Sequence, residues 1–461
     1  MMNSQRRTAI RIAFLAGFLV FLAVGARAQY TDRQALDDLG GPQEFTQRRT
    51  ELAQQAKTGF TLLFARNEIP EATHYREDND FYYFTGLQEP GAVLGINNAT
   101  GHTFLFVPQQ SGRTAQVYGP NLLSLPPEEA KKLGFDTVLP ISVLDQMLPA
   151  LLHSAAGGDL WVRLDFPDKA DGARPEIGRD HAWKFAHPYH EEIPQDLAPA
   201  KLLAERYPMA KLRDVTPFID AMRNIKRPKE IEVLRRNGKI SALGDLEAMT
   251  HARPGMFQYE IEARAYAYFY SHGAQGMAYP AIVGSGQNIN TWHYFSNREP
   301  IQPNELVVFD FGASLDHLTM DITRTFNISG KFTPEQAKWY AVDLECQKAV
   351  IALLKPGHTY EEADAAGKAV FEKAGIAEQW YGFPGHFVGL ATHDVLRVSG
   401  PVKAGQVVTV EPIVEFLDKR MHFRVEDTIL ITSGEPEILS SAIPREMAEI
   451  EKLVGSEAKQ K

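Results

Sequence analysis

The sequence predicts an α/β chain of the α+β type in two parts. A smaller mixed α/β domain comes first, and a larger domain follows in which one unit is repeated about a pseudo-twofold axis. Three observations lead to this. Residues 29 to about 212 alternate strand-like and helix-like runs, as a mixed sheet with covering helices does. Beyond them, two acidic residues in strand-like surroundings, Asp310 and Asp321, recur about 100 positions later as Glu411 and Glu426. Two helical segments precede each acidic pair, so a unit of two helices and a hairpin occurs twice.

From the amino terminus, Arg6, Arg7 and Arg11 precede an apolar run from Ile12 to Ala26, and Ala26-Arg-Ala28 ends it before Gln29. This pattern predicts a cleavable secretory signal over residues 1–28 and a secreted or periplasmic protein. The run falls short of the roughly 20 residues that span a bilayer, so no stable membrane anchor is expected.

In the amino-terminal domain, residues 29–212, Ala92-Val-Leu-Gly-Ile and Thr103-Phe-Leu-Phe-Val flank Asn97 to Gly101 as a hairpin. Pro126 to Gly134 reads as a short helix closed by glycine. A seam between Tyr207 and Pro228 leads into the second domain, residues 213–461. There Pro228 opens one helix, and another runs from near Tyr259 to Gly273. Thr333-Pro-Glu-Gln336 and Thr359-Tyr-Glu-Glu362 are capping boxes that start the corresponding pair in the second half, with Gly375 as a stop.

The segments Leu306–Phe311 and Leu318–Phe326 are rich in β-branched and aromatic residues, as are Val407–Glu411 and Phe423–Ile431. A turn centred between Leu315 and Asp316 would set Asp310 opposite Asp321, and one centred between Asp418 and Lys419 would set Glu411 opposite Glu426. Directly opposed residues hold their Cβ atoms roughly 4.5–5.5 Å apart, where two like charges repel. Asp310 shares strand phase with Leu306 and Val308, which predicts a buried face, and buried carboxylates need a cation. His386 adds an imidazole in the segment Gly382 to Asp394. Four carboxylates and one imidazole form an oxygen-rich set suited to two divalent ions, manganese rather than zinc, and to hydrolysis.

These residues resemble the pita-bread metallopeptidases, family M24, and within it Xaa-Pro aminopeptidase (aminopeptidase P), with prolidase close behind. The resemblance runs from about Arg76 to about Ile450. It rests on Asp310-Phe-Gly with Asp321-Ile-Thr-Arg-Thr-Phe, His386 with Gly389-Leu390 and His393-Asp394, Thr409-Val-Glu411-Pro, and Arg424-Val-Glu426-Asp. The segment Tyr75 to Pro90 resembles the family's amino-terminal domain; its aromatic cluster reads as core packing.

The resemblance implies a pita-bread second domain and a dinuclear-metal exopeptidase that removes an amino-terminal residue preceding proline. Asp321 and Glu426 would bridge two ions, Asp310 would hold one, and His386 with Glu411 the other. Glu411 would also act as general base, and His293 and His393 would steady the tetrahedral intermediate. Arg424, two positions before Glu426 and therefore on the same strand face, would orient the carboxylate or contact substrate. Peptides with proline second are the implied substrates, and relatives are commonly dimers or tetramers. One departure stands out: Gly382 occupies a position, four before His386, where members often carry a histidine. Prolidase, which cleaves only dipeptides, and a non-catalytic peptide-binding protein of the same fold are the alternative readings.

Composition excludes other classes. With 44% hydrophobic and 23% charged residues over 461 positions the chain is an ordinary globular protein. A formal charge of −10 argues against binding to nucleic acid or anionic membranes. The single cysteine, Cys346, permits no intrachain disulfide and reads as a helix core residue.

Overall fold

The computed structural model describes residues 32–67, 75–155, 157–187, 189 and 197–457. The expected secretory signal lies outside them. Among the described residues no helix is long and apolar enough to cross a membrane. The described residues form two compact units, those up to 164 with 198–215, and those from 165 to 197 with 216 onward.

The first unit is built on a six-stranded mixed sheet. Its strands are β1 (Phe60–Phe64), β2 (Val93–Asn97), β3 (Thr103–Val107), β4 (Thr137–Pro140), β5 (Asp159–Val162) and β6 (Lys211–Asp214), in the spatial order β4-β3-β2-β1-β5-β6. The hairpin expected around residues 97–101 is β2 and β3, with Val93 opposite Phe106. Phe60, Leu62, Val93, Phe106 and Leu160 form a core with Leu148 and Leu152 of helix Leu144–Ser154. The aromatic run Phe81 to Phe84 is buried, in keeping with core packing.

The expected boundary after residue 212 falls inside β6, which pairs with β5 and holds the chain in the first unit to Val215. Residues 165–187, expected in the amino-terminal domain, belong instead to the second unit. Buried ion pairs fix them there: Asp168 with Arg223 at 2.6 Å, and Arg174 with Asp220 at 2.8 Å. Breaking one such pair would leave a buried charge uncompensated, at a cost of about 3–5 kcal/mol.

The second unit repeats its architecture. The first half has helices Pro228–His251 and Gln258–Ser271 and strands β7 (Gly276–Met277), β8 (Ile282–Ser285), β9 (Leu306–Asp310), β10 (Ala313–Leu315), β11 (Leu318–Thr319) and β12 (Thr323–Asn327). The second half has helices Pro334–Ile351 and Tyr360–Ala374 and strands β13 (Val407–Val410), β14 (Ile413–Phe416), β15 (Met421–Arg424), β16 (Asp427–Leu430) and β17 (Glu437–Ile438). The capping boxes form as expected: Thr333 accepts from the Gln336 amide and Thr359 from the Glu362 amide, while Gly375 ends its helix in the left-handed region.

In each half the pairing of one long hairpin is interrupted in the middle, and the outer and inner portions join different sheets. β9 pairs with β12 on one side and β8 on the other, whereas β10 pairs with β11 and β7. β16 pairs with β13 on one side and β17 on the other, whereas β14 and β15 form a two-stranded ribbon. The acidic residues sit at these interruptions, where a strand end leaves room around a side chain that an unbroken ladder would close.

Candidate metal centre

The first acidic pair departs from the expected register. Asp310 faces Thr323, and Leu315 faces Leu318, so the turn is centred on Asp316 and His317. Both have positive φ, 50° and 65°, as a two-residue turn of the I′ type requires. The strand-to-strand offset therefore differs by two residues from the expected one. A shift of two keeps a side chain on its face, so Asp321 remains beside Asp310, diagonal to it rather than directly opposite. Gly312 allows this close pass: a Cβ there would lie 1.9 Å from the carbonyl oxygen of Met320.

The second pair follows the expected register. Val410 faces Asp427 and Ile413 faces Arg424, which brackets Glu411 opposite Glu426. Between those pairs both backbones turn outward for partners: the Glu411 amide donates to the Pro384 carbonyl at 2.9 Å, and the Glu426 amide to the Thr323 carbonyl at 3.0 Å. Thr323 also donates its hydroxyl to Glu426 Oε2 at 2.6 Å, and the Thr428 hydroxyl donates to the Asp321 carbonyl at 2.7 Å. These contacts cross between the two halves and bring both acidic pairs into one cleft.

Carboxylate oxygens of Asp310, Asp321 and Glu426, all buried, lie within 4.8 Å of one another, and so do ligand atoms of His386, Glu411 and Glu426. Glu426 belongs to both groups. Asp321 links them as well, with its Oδ2 3.4 Å from His386 Nε2, while Glu411 Oε1 lies 3.3 Å from the same nitrogen. His386 Nδ1 is 3.2 Å from the Phe387 carbonyl, the usual arrangement in which one ring N–H is held by the backbone and Nε2 is left to bind a cation. Glu426 Oε1 is buried and has no hydrogen-bond partner. An anionic oxygen left in that condition needs a cation, so the residues fit a divalent metal pair.

Arg424 is placed differently from expectation. It lies two positions before Glu426, yet its Nη2 binds Asp310 Oδ2 at 2.6 Å, across the cleft rather than along its own strand. Strand periodicity gives the face, and the length of the side chain decides which acid it meets. His393 joins the site, its ring centroid 4.0 Å from that of His386, and its Nδ1 is 2.7 Å from Glu176 Oε1. His293 is solvent-exposed on a turn; partial burial and the charges of Arg424 and His393 lower its pKa, and the charges of Glu411 and Glu176 also reach it.

Two site residues escaped the sequence reading. The Tyr279 hydroxyl lies 2.5 Å from Asp310 Oδ1 and 2.6 Å from Asp321 Oδ1, and donates into that pair. Glu176 arrives on the segment that joins the second unit. Neither sits in a pattern of charge or periodicity, so nothing local sets it apart.

The electrostatics suit proton competition with a metal. Burial raises Asp310 to about 7 despite the opposing charge of Arg424, and burial with Asp321 and Glu411 lifts Glu426 well above the ordinary carboxylate range. His386 is raised by Asp321 and Glu411 against the effect of burial, while His386 keeps Glu411 low. Metal binding must then expel protons, so apparent affinity for a divalent ion is expected to fall as pH drops through about 7. In the metal-free protein the raised Asp310 value has the opposite sign from an ion-paired acid. Its contribution to stability is highest below 3.8 and declines as pH rises toward about 7. Titration with a chelating metal indicator on either side of neutrality checks the first point; equal affinities at both pH values would refute it.

Comparison with known proteins is in keeping with a metal centre. Residues 232–433 match the model of metallopeptidase family M24, and residues 45–161 that of the aminopeptidase P N-terminal domain. Xaa-Pro aminopeptidase of Escherichia coli (strain K12) is 31% identical, over 91% of this chain and 99% of that one. Human Xaa-Pro aminopeptidase 3 is 28% identical, over 85% of this chain and 78% of its own. Among solved structures, E. coli aminopeptidase P with the inhibitor Pro-Leu superposes with a TM-score of 0.75 at 29% identity, covering 91% and 99% of the two chains. Proline aminopeptidase P II of Yersinia pestis gives 0.74 at 28%, covering 89% and 99%.

Proposed function

This chain belongs to metallopeptidase family M24 and, within it, to the Xaa-Pro aminopeptidases; from that premise we propose how its own residues hydrolyse the bond between an amino-terminal residue and a following proline. The observation that carries the reading is the pair of ligand groups that share Glu426.

Asp310, Asp321 and Glu426 would hold one divalent ion, and His386 and Glu411 with Glu426 would hold a second. Manganese suits a set of four carboxylates and one imidazole. When bound, the ions supply an activated water and polarise the scissile carbonyl. Glu411 takes the proton of the attacking water, which a carboxylate at the edge of the pocket is able to pass on. His293 holds the oxyanion that develops on the carbonyl oxygen, and His393 binds the proline side of the substrate. Arg424 opposes the effect of burial on Asp310 and directs it inward through their 2.6 Å contact. Tyr279 braces Asp310 against Asp321 from beneath. An Xaa-Pro amide has no N–H, so the site needs no acceptor for one.

Export after cleavage of residues 1–28, and assembly as a homo-oligomer, complete the reading. Residues Arg6 to Ala28 support the first, and the resemblance to a family whose members are commonly dimers or tetramers is the ground for the second.

Hydrolysis of Ala-Pro beside Ala-Pro-Ala, with added manganese and with the metal-stripped protein as control, tests the assignment. Metal-dependent release of alanine from both peptides is expected. Cleavage of the dipeptide alone would make the protein a prolidase, and no cleavage despite bound metal would leave a peptide-binding protein.

A further inference from the structure

His393 offers the site only one of its ring nitrogens. Nδ1 lies 2.7 Å from Glu176 Oε1, while the ring packs 4.0 Å, centroid to centroid, from His386. An ionised carboxylate accepts and does not donate, so Nδ1 carries the proton and Nε2 is left facing the cleft. We propose that Glu176 is a positioning residue for His393, fixing the ring in the orientation and Nδ1–H form that present Nε2 to the substrate. This rests on the reading of His393 as a substrate-side group and deepens it.

Glu176 is itself held in place. It is the third residue of helix Arg174–Phe185, and its second oxygen, Oε2, accepts from the Ala173 amide at 2.8 Å, capping that helix. One carboxylate oxygen thus serves the helix and the other serves His393. Burial would raise its pKa, but the hydrogen bonds from His393 and the Ala173 amide oppose that and it stays low, at about 2.

The two partners are tied to one buried network. Asp168, upstream of the helix, pairs with Arg223, which also binds Asp394, the residue after His393, at 2.6 Å. Lys226 meets the other Asp394 oxygen at 3.0 Å, and the Thr392 amide donates to the Ala170 carbonyl at 2.7 Å. The backbone on both sides of His393 and the approach to Glu176 are therefore fixed together. A free imidazole would rotate and exchange its proton between nitrogens; this one is locked from behind. Metal-ligand histidines are commonly held by such a partner, whereas here the histidine held is the neighbour of a ligand.

Glu176→Gln gives a sharp test. The Ala173 amide requires an acceptor, so the glutamine oxygen turns to the helix cap and its NH2 faces His393 Nδ1. That forces Nδ1 to accept and moves the ring proton to Nε2. In zinc-loaded protein carrying 15N-labelled histidine, with the His393 signals identified by their loss in His393→Asn, the wild type is expected to show Nδ1 protonated and Glu176→Gln to show it unprotonated. With manganese, kcat of Glu176→Gln on Ala-Pro-Ala is expected to fall about 10–100-fold with KM little changed and both ions retained. An unprotonated Nδ1 in the wild type, an Nδ1–H that survives Glu176→Gln, or an inverted ring with unchanged kcat would overturn the proposal. Loss of an ion from Glu176→Gln would do so too, by making Glu176 a ligand. The nitrogen spectrum does not depend on turnover, so failure of the peptidase assignment would be seen separately.

Discussion

Glu426→Gln is expected to remove metal binding at the dinuclear site and with it nearly all hydrolysis. The substitution changes little else. Thr323 can donate its hydroxyl to the glutamine oxygen as it does to Glu426 Oε2, and the residue 426 amide keeps its bond to the Thr323 carbonyl. The glutamine NH2 then occupies the place of Oε1, the buried oxygen that has no hydrogen-bond partner. A donor then stands where the proposed ions would need an acceptor, and one of four negative charges is gone.

Metal polarisation of a carbonyl contributes several kcal/mol, so kcat/KM is expected to drop about 10³-fold or more. Metal content by atomic emission should fall from two ions to one or none. The metal-free variant should melt no lower than the metal-free wild type, because burial already disfavours the ionised form of Glu426. Two retained ions with near-normal turnover would sink the bridging role; a lower metal-free Tm would show a structural role instead.

Glu411→Gln should separate proton transfer from metal holding. Its backbone is fixed by the bond to the Pro384 carbonyl, and His386, the other residue proposed to hold the same ion, is untouched. A glutamine can still offer an oxygen but cannot take a proton. With saturating manganese, kcat is therefore expected to fall about 10²–10⁴-fold, the usual contribution of a general base, while at least one ion stays bound. A kcat within tenfold of wild type at full metal loading would assign the proton to another group.

Particular residues show how far the sequence could be read. The helix starts at Thr333 and Thr359 were legible because a capping box is a contact within four residues. The second hairpin was legible for a similar reason: its long turn kept the symmetric register, and Glu411 met Glu426. The first hairpin was misjudged by one turn position. A two-residue turn with both central residues left-handed is recognised most readily by glycine or asparagine, and this one uses Asp316 and His317. The error did not dislodge Asp321, because the register differed by an even number of residues and the face was kept. The boundary after residue 212 was missed because β6 is a short, half-exposed edge strand whose pairing with β5 has no signature in its own composition.

By itself the sequence singled out candidate metal-holding residues and determined that the hairpin occurs twice and that Asp310 lies on a buried strand face, since each follows from periodicity, capping and charge within a few neighbouring positions. Only the tertiary structure decided which atoms meet. Arg424 crosses to Asp310, Tyr279 reaches up between two aspartates, and Glu176 locks His393 from 217 positions away. Local patterns carry the identity and the face of a side chain, but a partner distant in sequence is set by the packing of whole elements, and no repeat or spacing encodes that distance.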